Sequence, residues 1–213
     1  SGSILGCLWG LHLFLCIPLS LQVFAGVQIF DISENRLQLL WQWSAYLSSL
    51  CTFHLLEFFV TAFYNPTQLT ADSFLINHST AYTAAALSSW TEYAIRLAFF
   101  PSWNFRIFAW IGLSFVILSQ SLRSLAMATA AESFNHVIQN TKRDNHTLVT
   151  HGVYSILRHP SYVGFFYWCI GTQLLLGNPI HTLIFAIAAW NFFQRRIAYE
   201  EESLCQFFPE QYP

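Results

Sequence analysis

Two polar patches, separated by an apolar run, contain the residue types in this sequence that are best suited to chemistry. The first patch, residues 151–164, ends a stretch rich in His and Tyr and places Pro160 where an apolar run begins. Proline suits the first turn of a helix, and the exposed N–H groups of that turn, together with the helix dipole, attract an anion such as a carboxylate. The second patch, residues 195–202, follows another apolar run and contains two arginines and three glutamates. We expect the two patches to fold onto each other and to form one site.

Ionisable side chains inside the apolar runs need an explanation, because one such group at the middle of a bilayer costs roughly 2.5–3.5 kcal/mol. His54 and Glu57 share one helical face, which favours a polar contact between helices. Glu92 and Arg96 have the spacing of an ion pair along one helix. Arg123 lies where an apolar run becomes polar, and two interpretations stay open for it. Its side chain either extends to the membrane surface or binds an anion.

Several common kinds of enzyme site are not indicated. Four histidines occur close together, but their spacing matches no HExxH or CxxC zinc motif: His136, His146, His151 and His159. The sequence also contains no GxGxxG, P-loop or GxSxG motif. We therefore expect neither a metal ion nor a phosphate-cradling nucleotide fold. The net charge of −2 argues against a nucleic-acid partner.

The composition indicates a protein whose solvent is largely lipid. Hydrophobic residues make up 54% and aromatic residues 18% of the 213 residues, whereas charged residues make up only 9%. Soluble globular proteins have about 25% charged residues. The five cysteines form no CxxC pair and lie mostly in apolar runs, where cysteine acts as a small apolar side chain.

The order of apolar and polar segments predicts an all-α, polytopic transmembrane protein that forms a single membrane domain over residues 1–213. A spanning helix needs about 20 apolar residues. We predict four spans and a polar loop, followed by a C-terminal helix-turn-helix hairpin: residues 4–27, 39–63, 74–100 and 105–131 for the spans, 134–159 for the loop, and 160–176 and 180–202 for the hairpin. Basic residues concentrate in the loop and at the C-terminal end, which predicts that both face the cytoplasm.

The hairpin has local signals of its own. Gly177-Asn178-Pro179 is a turn sequence between its two apolar halves. Gly164 and Gly171 lie on one face of its first helix, where small residues allow a neighbouring helix to approach closely. A short first helix and a half-polar second helix predict a hairpin that crosses the membrane only in part or at a tilt.

Short motifs along nearly the whole chain carry a family resemblance. They are Asn77-His78-Ser79, residues 84–90, residues 133–139, residues 146–150, Gly152-Val153-Tyr154, residues 158–164, Gly171-Thr172-Gln173, Asn178-Pro179 and Glu200-Glu201-Glu202. Together they resemble the isoprenylcysteine carboxyl methyltransferases of the endoplasmic reticulum membrane, in their animal form. Members of that family usually carry further N-terminal spans and a longer C-terminal tail, so we expect segments to be missing from this chain.

The resemblance implies methyl transfer from S-adenosyl-L-methionine to the carboxylate of a C-terminal cysteine that carries a farnesyl or geranylgeranyl group, as in CaaX-processed proteins such as Ras-like and other small GTPases. It implies a cytosol-facing cofactor pocket formed by Gln139, His146, Thr147, Leu148, Val149, Tyr154, His159, Pro160, Ser161, Tyr162 and Glu200. Arg196 lies one helical turn before Glu200 and is expected to bind the substrate carboxylate, with Arg123 as the second catalytic candidate. The prenyl chain is expected to lie between spans, among aromatic residues.

Other functions stay open at this level. A phosphatidylethanolamine N-methyltransferase, or another lipid-modifying membrane enzyme, would use the same cofactor and a similar hairpin. A sterol reductase would use NADPH, but the polar loop has few basic residues to bind the 2′-phosphate. A non-catalytic membrane scaffold would need neither cofactor nor substrate.

Overall fold

Six α-helices dominate the described part of the computed structural model, which covers residues 2–26, 28–29, 31, 33–76, 79–103, 105–139, 141–142 and 146–212, with the backbone alone at 2–5, 12 and 24. The helices are α1 (Gly2–Ala25), α2 (Glu34–Tyr64), α3 (Thr80–Phe99), α4 (Arg106–Ala130), α5 (Pro160–Leu176) and α6 (Pro179–Phe207). Short 3-10 turns occur at Pro66–Gln68, Ala71–Phe74, Ala131–Ser133 and Gly152–Ser155. These residues contain no strand, so the predicted all-α class is confirmed. Asn77 and His78 of the predicted motif, and residues 140 and 143–145 of the predicted loop, lie outside the described residues.

Three helical stretches of the described chain are long and apolar enough to cross a membrane: Gly6–Val23, Glu34–Tyr64 and Arg106–Ser133. They correspond to the first, second and fourth predicted spans. Helix α5 has 17 residues, which at 1.5 Å per residue is shorter than a hydrocarbon core of about 30 Å. The division into one domain with all the predicted spans stays a prediction.

The third predicted span begins later than its hydropathy suggests. Residues Ala71–Phe74 form a 3-10 turn, and Leu75 then adopts a left-handed conformation with φ of 54°. Helix α3 starts only at Thr80, where the Ser79 hydroxyl accepts the N–H of Tyr82 at 3.1 Å. The predicted start at residue 74 is therefore wrong, because a left-handed residue and an N-cap lie inside the apolar run.

Glycines let α4 and α5 pack backbone to backbone, as the sequence predicted. A Cβ atom at Gly164 would lie 2.8 Å from the carbonyl oxygen of Ser119, and one at Gly171 would lie 2.9 Å from Cβ of Phe115. Gly112 of α4 faces the same interface, where its Cβ would lie 2.7 Å from the carbonyl oxygen of Gly171. This contact fixes α5, and with it the first polar patch, against a membrane-spanning helix.

We expect Gly112→Ala to lower the thermal stability of the protein. The new methyl group collides with the backbone of α5, which cannot move aside as a flexible side chain can. Overpacking of this kind costs about 1–3 kcal/mol. Gly10→Ala is the matched control, because no atom lies within 4 Å of a Cβ built there. Thermal unfolding in detergent measures both, and equal midpoints for the two variants would contradict the proposed close contact.

The α5–α6 turn is held by its own backbone and by α3. Gly177 ends α5 in a left-handed conformation with φ of 70°, which glycine adopts without steric cost. The buried Asn178 donates its side-chain amide to the carbonyl oxygen of Ser89 at 2.9 Å and to Oε1 of Gln173 at 3.2 Å. The predicted turn is therefore confirmed, and it is anchored to the middle of α3.

Glu92 and Arg96 of α3 bind two different helix ends at this turn. Glu92 accepts the N–H groups of Ile180, at 3.1 Å, and His181, at 2.9 Å, at the start of α6. Arg96 donates to the carbonyl oxygen of Leu176 at the end of α5. The ion pair predicted between Glu92 and Arg96 is wrong. Each charge instead lies at the helix terminus whose dipole it complements.

Candidate active site

The two polar patches meet, as predicted. His159, which immediately precedes α5, has its Nε2 atom 2.5 Å from Oε1 of Glu201 near the end of α6. Arg158 donates to Oε2 of the same carboxylate at 3.1 Å. One helical turn before Glu200, Nε of Arg196 donates to the hydroxyl of Tyr162 at 2.9 Å. These contacts tie the first turn of α5 to the last turns of α6.

A cavity of about 270 Å³ opens beside these contacts, and we call it the polar cavity. Most of the residues predicted to bind a cofactor line it: His146, Thr147, Leu148, Val149, Tyr154, His159, Ser161, Tyr162 and Glu200. The structure therefore brings together residues from the loop, α5 and α6 that are far apart in the chain.

Two residues of the predicted cofactor set do not line the polar cavity. Gln139 donates its side-chain amide to the carbonyl oxygen of Val137 at 2.9 Å. Pro160 is fully buried at the start of α5, where it sets the direction of the helix. A direct cofactor contact at either residue stays a prediction.

Other residues line the polar cavity without having been predicted: Ala130, Ser133, Phe134, Asn135, Thr150, Arg158, Leu204, Gln211 and Tyr212. Leu204 lies one helical turn after Glu200, so helical spacing could have identified it. Tyr212 had no such signal, because it reaches the cavity only where the chain folds back after α6. Its hydroxyl donates to Oε1 of Glu201 at 2.5 Å.

Glu200 lines the polar cavity and brings a carboxylate to it. Its Oε2 atom is buried and lies 3.5 Å from Nδ1 of His159, at ion-pair distance. Burial raises the pKa of the Glu200 carboxyl. His159, Tyr162 and the charge of Arg196 lower this pKa by more than burial raises it, so that the pKa lies below its ordinary value. The cavity therefore holds an ionised carboxylate that is suited to a cationic ligand.

In the polar cavity, stacking orients two of the rings, and burial and nearby carboxylates shift the pKa values of His159 and Tyr154. His159 stacks on Tyr162 with ring centroids 5.6 Å apart and an interplanar angle of 7°. Burial lowers the pKa of His159, but Glu200 and Glu201 together raise it above its ordinary value. Burial, reinforced by the nearby Glu200, raises the pKa of Tyr154 to about 12, which keeps its phenol neutral.

A second cavity, of about 50 Å³, lies behind the first, and we call it the aromatic cavity. The two cavities share the wall residues Phe134, Asn135, Ser161 and Tyr162. The remaining lining residues are mostly rings, with two arginines among them: Phe53, Leu75, Tyr82, Arg123, His136, Phe165, Phe192, Phe193 and Arg196. An apolar chain attached to an anion suits such a lining.

Arg196 lines the aromatic cavity, next to the wall that separates the aromatic cavity from the polar cavity. Its Nε donates to the Tyr162 hydroxyl, and its Nη2 donates to the carbonyl oxygen of His136 at 2.6 Å. Among the described residues, no carboxylate lies within ion-pair distance of its guanidinium. Arg196 is therefore a positioned cation with neutral partners, which suits the predicted binding of a carboxylate.

Arg123 is neutralised by a buried glutamate. Its Nε and Nη2 atoms donate to the two carboxylate oxygens of Glu57 at 2.5 and 2.8 Å, and its Nη1 donates to Oγ of Ser161 at 3.0 Å. Nε2 of His136 lies 2.9 Å from the same carboxylate. Because Arg123 is buried, the interpretation that it extends to the membrane surface is wrong. The predicted contact between helices at Glu57 is confirmed, and the anion-binding role of Arg123 stays a prediction.

Three histidines in the described part of the chain act as hydrogen-bonding groups. His136 and His159 face carboxylates, and His54 uses Nδ1 to contact the carbonyl oxygen of Phe74 at 2.7 Å. No group of three or more His, Cys, Asp or Glu side chains among the described residues is arranged to hold a metal ion.

Comparisons with known proteins agree with this architecture. The sequence profile of the isoprenylcysteine carboxyl methyltransferase family matches residues 110–206. Similar proteins named protein-S-isoprenylcysteine O-methyltransferase include one from Xenopus laevis, 52% identical over 78% of this chain and 58% of its own length. The one from Homo sapiens is 51% identical over 78% of this chain and 59% of its own length. The chain thus spans less than two thirds of these two relatives.

A relative from Schizosaccharomyces pombe with the same name is 37% identical over 100% of this chain and 87% of its own length. A solved structure described as the eukaryotic intramembrane Ras methyltransferase isoprenylcysteine carboxyl methyltransferase matches with a TM-score of 0.81 and 42% identity. The match covers 93% of this chain and 68% of the solved chain. The three apolar helices and this likeness identify an integral membrane protein. The chain belongs to the isoprenylcysteine carboxyl methyltransferase family.

Proposed function

We propose that this chain contains the catalytic part of an enzyme that converts the C-terminal carboxylate of a prenylated cysteine into its methyl ester, with S-adenosylmethionine as the methyl donor. One observation carries the proposal. A polar cavity lined by the ionised carboxylate of Glu200 and an aromatic cavity with a positioned arginine, Arg196, share the wall formed by Ser161 and Tyr162. Donor and acceptor can therefore meet at this wall.

The polar cavity fits the proposed cofactor. S-adenosylmethionine supplies, when bound, a methyl group made electrophilic by a sulfonium cation. The ionised carboxylate of Glu200 suits the positive charge of this molecule, and Tyr154 and Tyr162 offer aromatic faces for adenine or for the cation. Leu148 and Val149 add apolar surface for the nucleoside.

The lining of the aromatic cavity suits the carboxylate end of the proposed substrate. A carboxylate is ionised near pH 7, so the reaction needs no general base. Arg196 holds the carboxylate beside Tyr162, and the rings around it contact the start of the prenyl chain. The main contribution of the protein is then the alignment of two bound groups, which is worth several kcal/mol.

The same proposal covers location and partners. We infer that the enzyme lies in the endoplasmic reticulum membrane with the polar cavity facing the cytosol, where farnesylated or geranylgeranylated CaaX proteins are present. The basic residues of the loop and of the C-terminal end support this orientation. Ras-like and other small GTPases are proposed substrates, which agrees with the description of the structurally similar protein as a Ras methyltransferase.

The relatives favour this reaction over the alternatives. Those described above are named for O-methylation of isoprenylcysteine, not for methylation of a phospholipid amine or for reduction of a sterol. A non-catalytic scaffold does not explain an ionised carboxylate in a cavity lined with rings.

A single assay tests the proposed function. The purified protein is incubated with methyl-labelled S-adenosylmethionine and either N-acetyl-S-farnesylcysteine or phosphatidylethanolamine. We expect base-labile methyl ester on the farnesylcysteine. Label on the phospholipid headgroup alone would support the N-methyltransferase instead, and binding of neither cofactor nor substrate would support a scaffold.

Glu200→Gln is expected to weaken binding of S-adenosylmethionine by about tenfold or more, because a charge-assisted contact contributes about 1.5–3 kcal/mol. The amide keeps the size of the side chain, removes the charge and replaces one acceptor oxygen by an N–H donor. Glu202→Gln is the matched control, because Glu202 is exposed on the same helix. Isothermal titration with the cofactor alone measures the effect. Equal affinities for the two variants would remove Glu200 from the cofactor site.

A further inference from the structure

The chain that follows the last turn of α6 contributes to the wall of the polar cavity, and we call residues 207–212 the strap. Helix α6 ends at Phe207. The chain then turns back, because the N–H groups of Gln211 and Tyr212 both donate to the carbonyl oxygen of Phe208, at 3.1 and 2.8 Å. This turn places Gln211 and Tyr212 in the lining of the polar cavity.

Most of the strap is exposed. Pro209, Glu210 and Gln211 are exposed and Tyr212 is half-buried, so that Phe208 is the only buried residue of the strap. The helices α5 and α6 form other parts of the same cavity wall. A turn with few buried contacts opens at a lower free-energy cost than a packed helix. The strap is therefore the part of this wall that can move most easily.

One end of the strap is held by the polar loop. Nζ of Lys142 donates to the carbonyl oxygen of Phe207 at 2.9 Å and lies 4.3 Å from the ring centroid of Phe208. The ring of His146, which lines the polar cavity, meets the ring of Phe208 edge-on, with centroids 5.4 Å apart. These contacts join the strap to the loop on one side of the cavity.

The other end of the strap is held by the two polar patches. The Tyr212 hydroxyl donates to Oε1 of Glu201 at 2.5 Å, and the guanidinium carbon of Arg158 lies 5.2 Å from the centroid of the Tyr212 ring. Burial, reinforced by Glu201, raises the pKa of Tyr212 to about 12, so the phenol keeps the proton that it donates. Both ends are thus held by side-chain contacts, which can break and re-form without unfolding a helix.

The proposed reaction requires the polar cavity to exchange its ligand in every cycle. Each molecule of S-adenosylmethionine gives up its methyl group once and must then leave as S-adenosylhomocysteine before the next donor can enter. Lids and loops that close over a ligand commonly control such exchange. Of the elements that line the polar cavity, the strap has the combination this role needs, an exposed turn with a breakable contact at each end.

We propose that the strap is a lid through which the cofactor enters and leaves the polar cavity, held closed by Tyr212 on Glu201 and by Lys142 on Phe207. This inference rests on the proposed function, because it takes the polar cavity as the cofactor site. Entry and exit then both depend on the same opening. Weakening the closed state therefore speeds association and dissociation together and leaves the equilibrium affinity nearly unchanged.

Tyr212→Phe tests the first contact. It keeps the ring and removes the hydroxyl that donates to Glu201. We expect both the association and the dissociation rate constants for S-adenosylmethionine to rise about fivefold, the effect of losing one hydrogen bond. Tyr199→Phe is the matched control and should keep both rate constants, because Tyr199 is exposed on α6 and does not line the polar cavity. Rapid filtration of the protein in nanodiscs with radiolabelled cofactor measures both.

Lys142→Met tests the second contact and should have the same double effect, with Arg195→Met as the control for the loss of an exposed positive charge. The thermal midpoints of Tyr212→Phe and Lys142→Met without cofactor should equal that of the unsubstituted protein. Faster exchange seen only with a lowered midpoint would instead indicate general loosening of the fold and would overturn the lid.

The rate constants also separate the lid from a simple cofactor contact. Faster dissociation with unchanged association in Tyr212→Phe would make Tyr212 a residue that binds the cofactor, and the lid would be refuted. Equal rate constants in all variants, with methyl transfer to N-acetyl-S-farnesylcysteine intact, would refute the lid alone. Failure of the unsubstituted protein to bind S-adenosylmethionine would refute the proposed function and the lid together.

Discussion

Arg196→Ala is expected to abolish methyl esterification while most of the affinity for S-adenosylmethionine is retained. Arg196 lines the aromatic cavity and not the polar cavity, so its loss removes the cation that holds the substrate carboxylate and leaves the cofactor lining in place. Truncating one partner of a buried charge pair costs about 2–5 kcal/mol, so kcat/KM should fall at least about thirtyfold. Methyl transfer to N-acetyl-S-farnesylcysteine and cofactor titration measure the two effects separately.

The neighbouring arginine provides the control. Arg195 is exposed on the same helix, so Arg195→Ala removes the same charge from the surface and is expected to keep the activity. Arg196→Lys keeps the charge but loses the planar fork that donates to both Tyr162 and the carbonyl oxygen of His136, and we expect only partial activity from it. Full activity of Arg196→Ala would exclude the carboxylate-binding role. Equal loss of activity and of cofactor affinity would place Arg196 in the cofactor site.

Glu57→Gln is expected to destabilise the protein by about 3–5 kcal/mol, because it leaves the charge of Arg123 buried without a counter-charge. Glu57 is fully buried and holds Arg123 from α4 and His136 from the polar loop. The backbone carbonyl of His136 in turn accepts a hydrogen bond from Arg196. The substitution should therefore also disturb the position of Arg196, which would appear as a raised KM for the prenylcysteine substrate.

Two further variants separate charge from packing at Glu57. Glu34→Gln makes the same chemical change at an exposed position of the same helix and should leave the thermal midpoint nearly unchanged. The double variant Glu57→Gln with Arg123→Met removes both charges and should recover part of the lost stability, since a buried ion pair is often replaceable by neutral groups. A Glu57→Gln variant as stable as Glu34→Gln would show that the ion pair contributes nothing measurable.

Local sequence signals predicted the hairpin closely. Pro160 and Pro179 begin α5 and α6, and Gly177 ends α5 in a left-handed conformation. Proline and glycine act through the sterics of their own backbone, so their effect can be predicted without knowledge of distant residues. The start of α3 was predicted incorrectly, because hydropathy over a long window does not detect a left-handed Leu75 or a cap at Ser79.

The sequence by itself determined that this chain is helical, that most of its surface meets lipid, and that its chemistry lies in two polar patches around His159 and Glu200. Only the tertiary structure decided which charges pair. Glu92 and Arg96 have ion-pair spacing but bind separate helix ends, whereas Glu57 and Arg123 meet from different helices. The physical reason is that spacing along a helix brings two side chains within reach, but the partner that binds is set by the charges and helix dipoles that packing brings closest. The same packing decided that Glu200 and Arg196, one turn apart on α6, face separate cavities on either side of Tyr162.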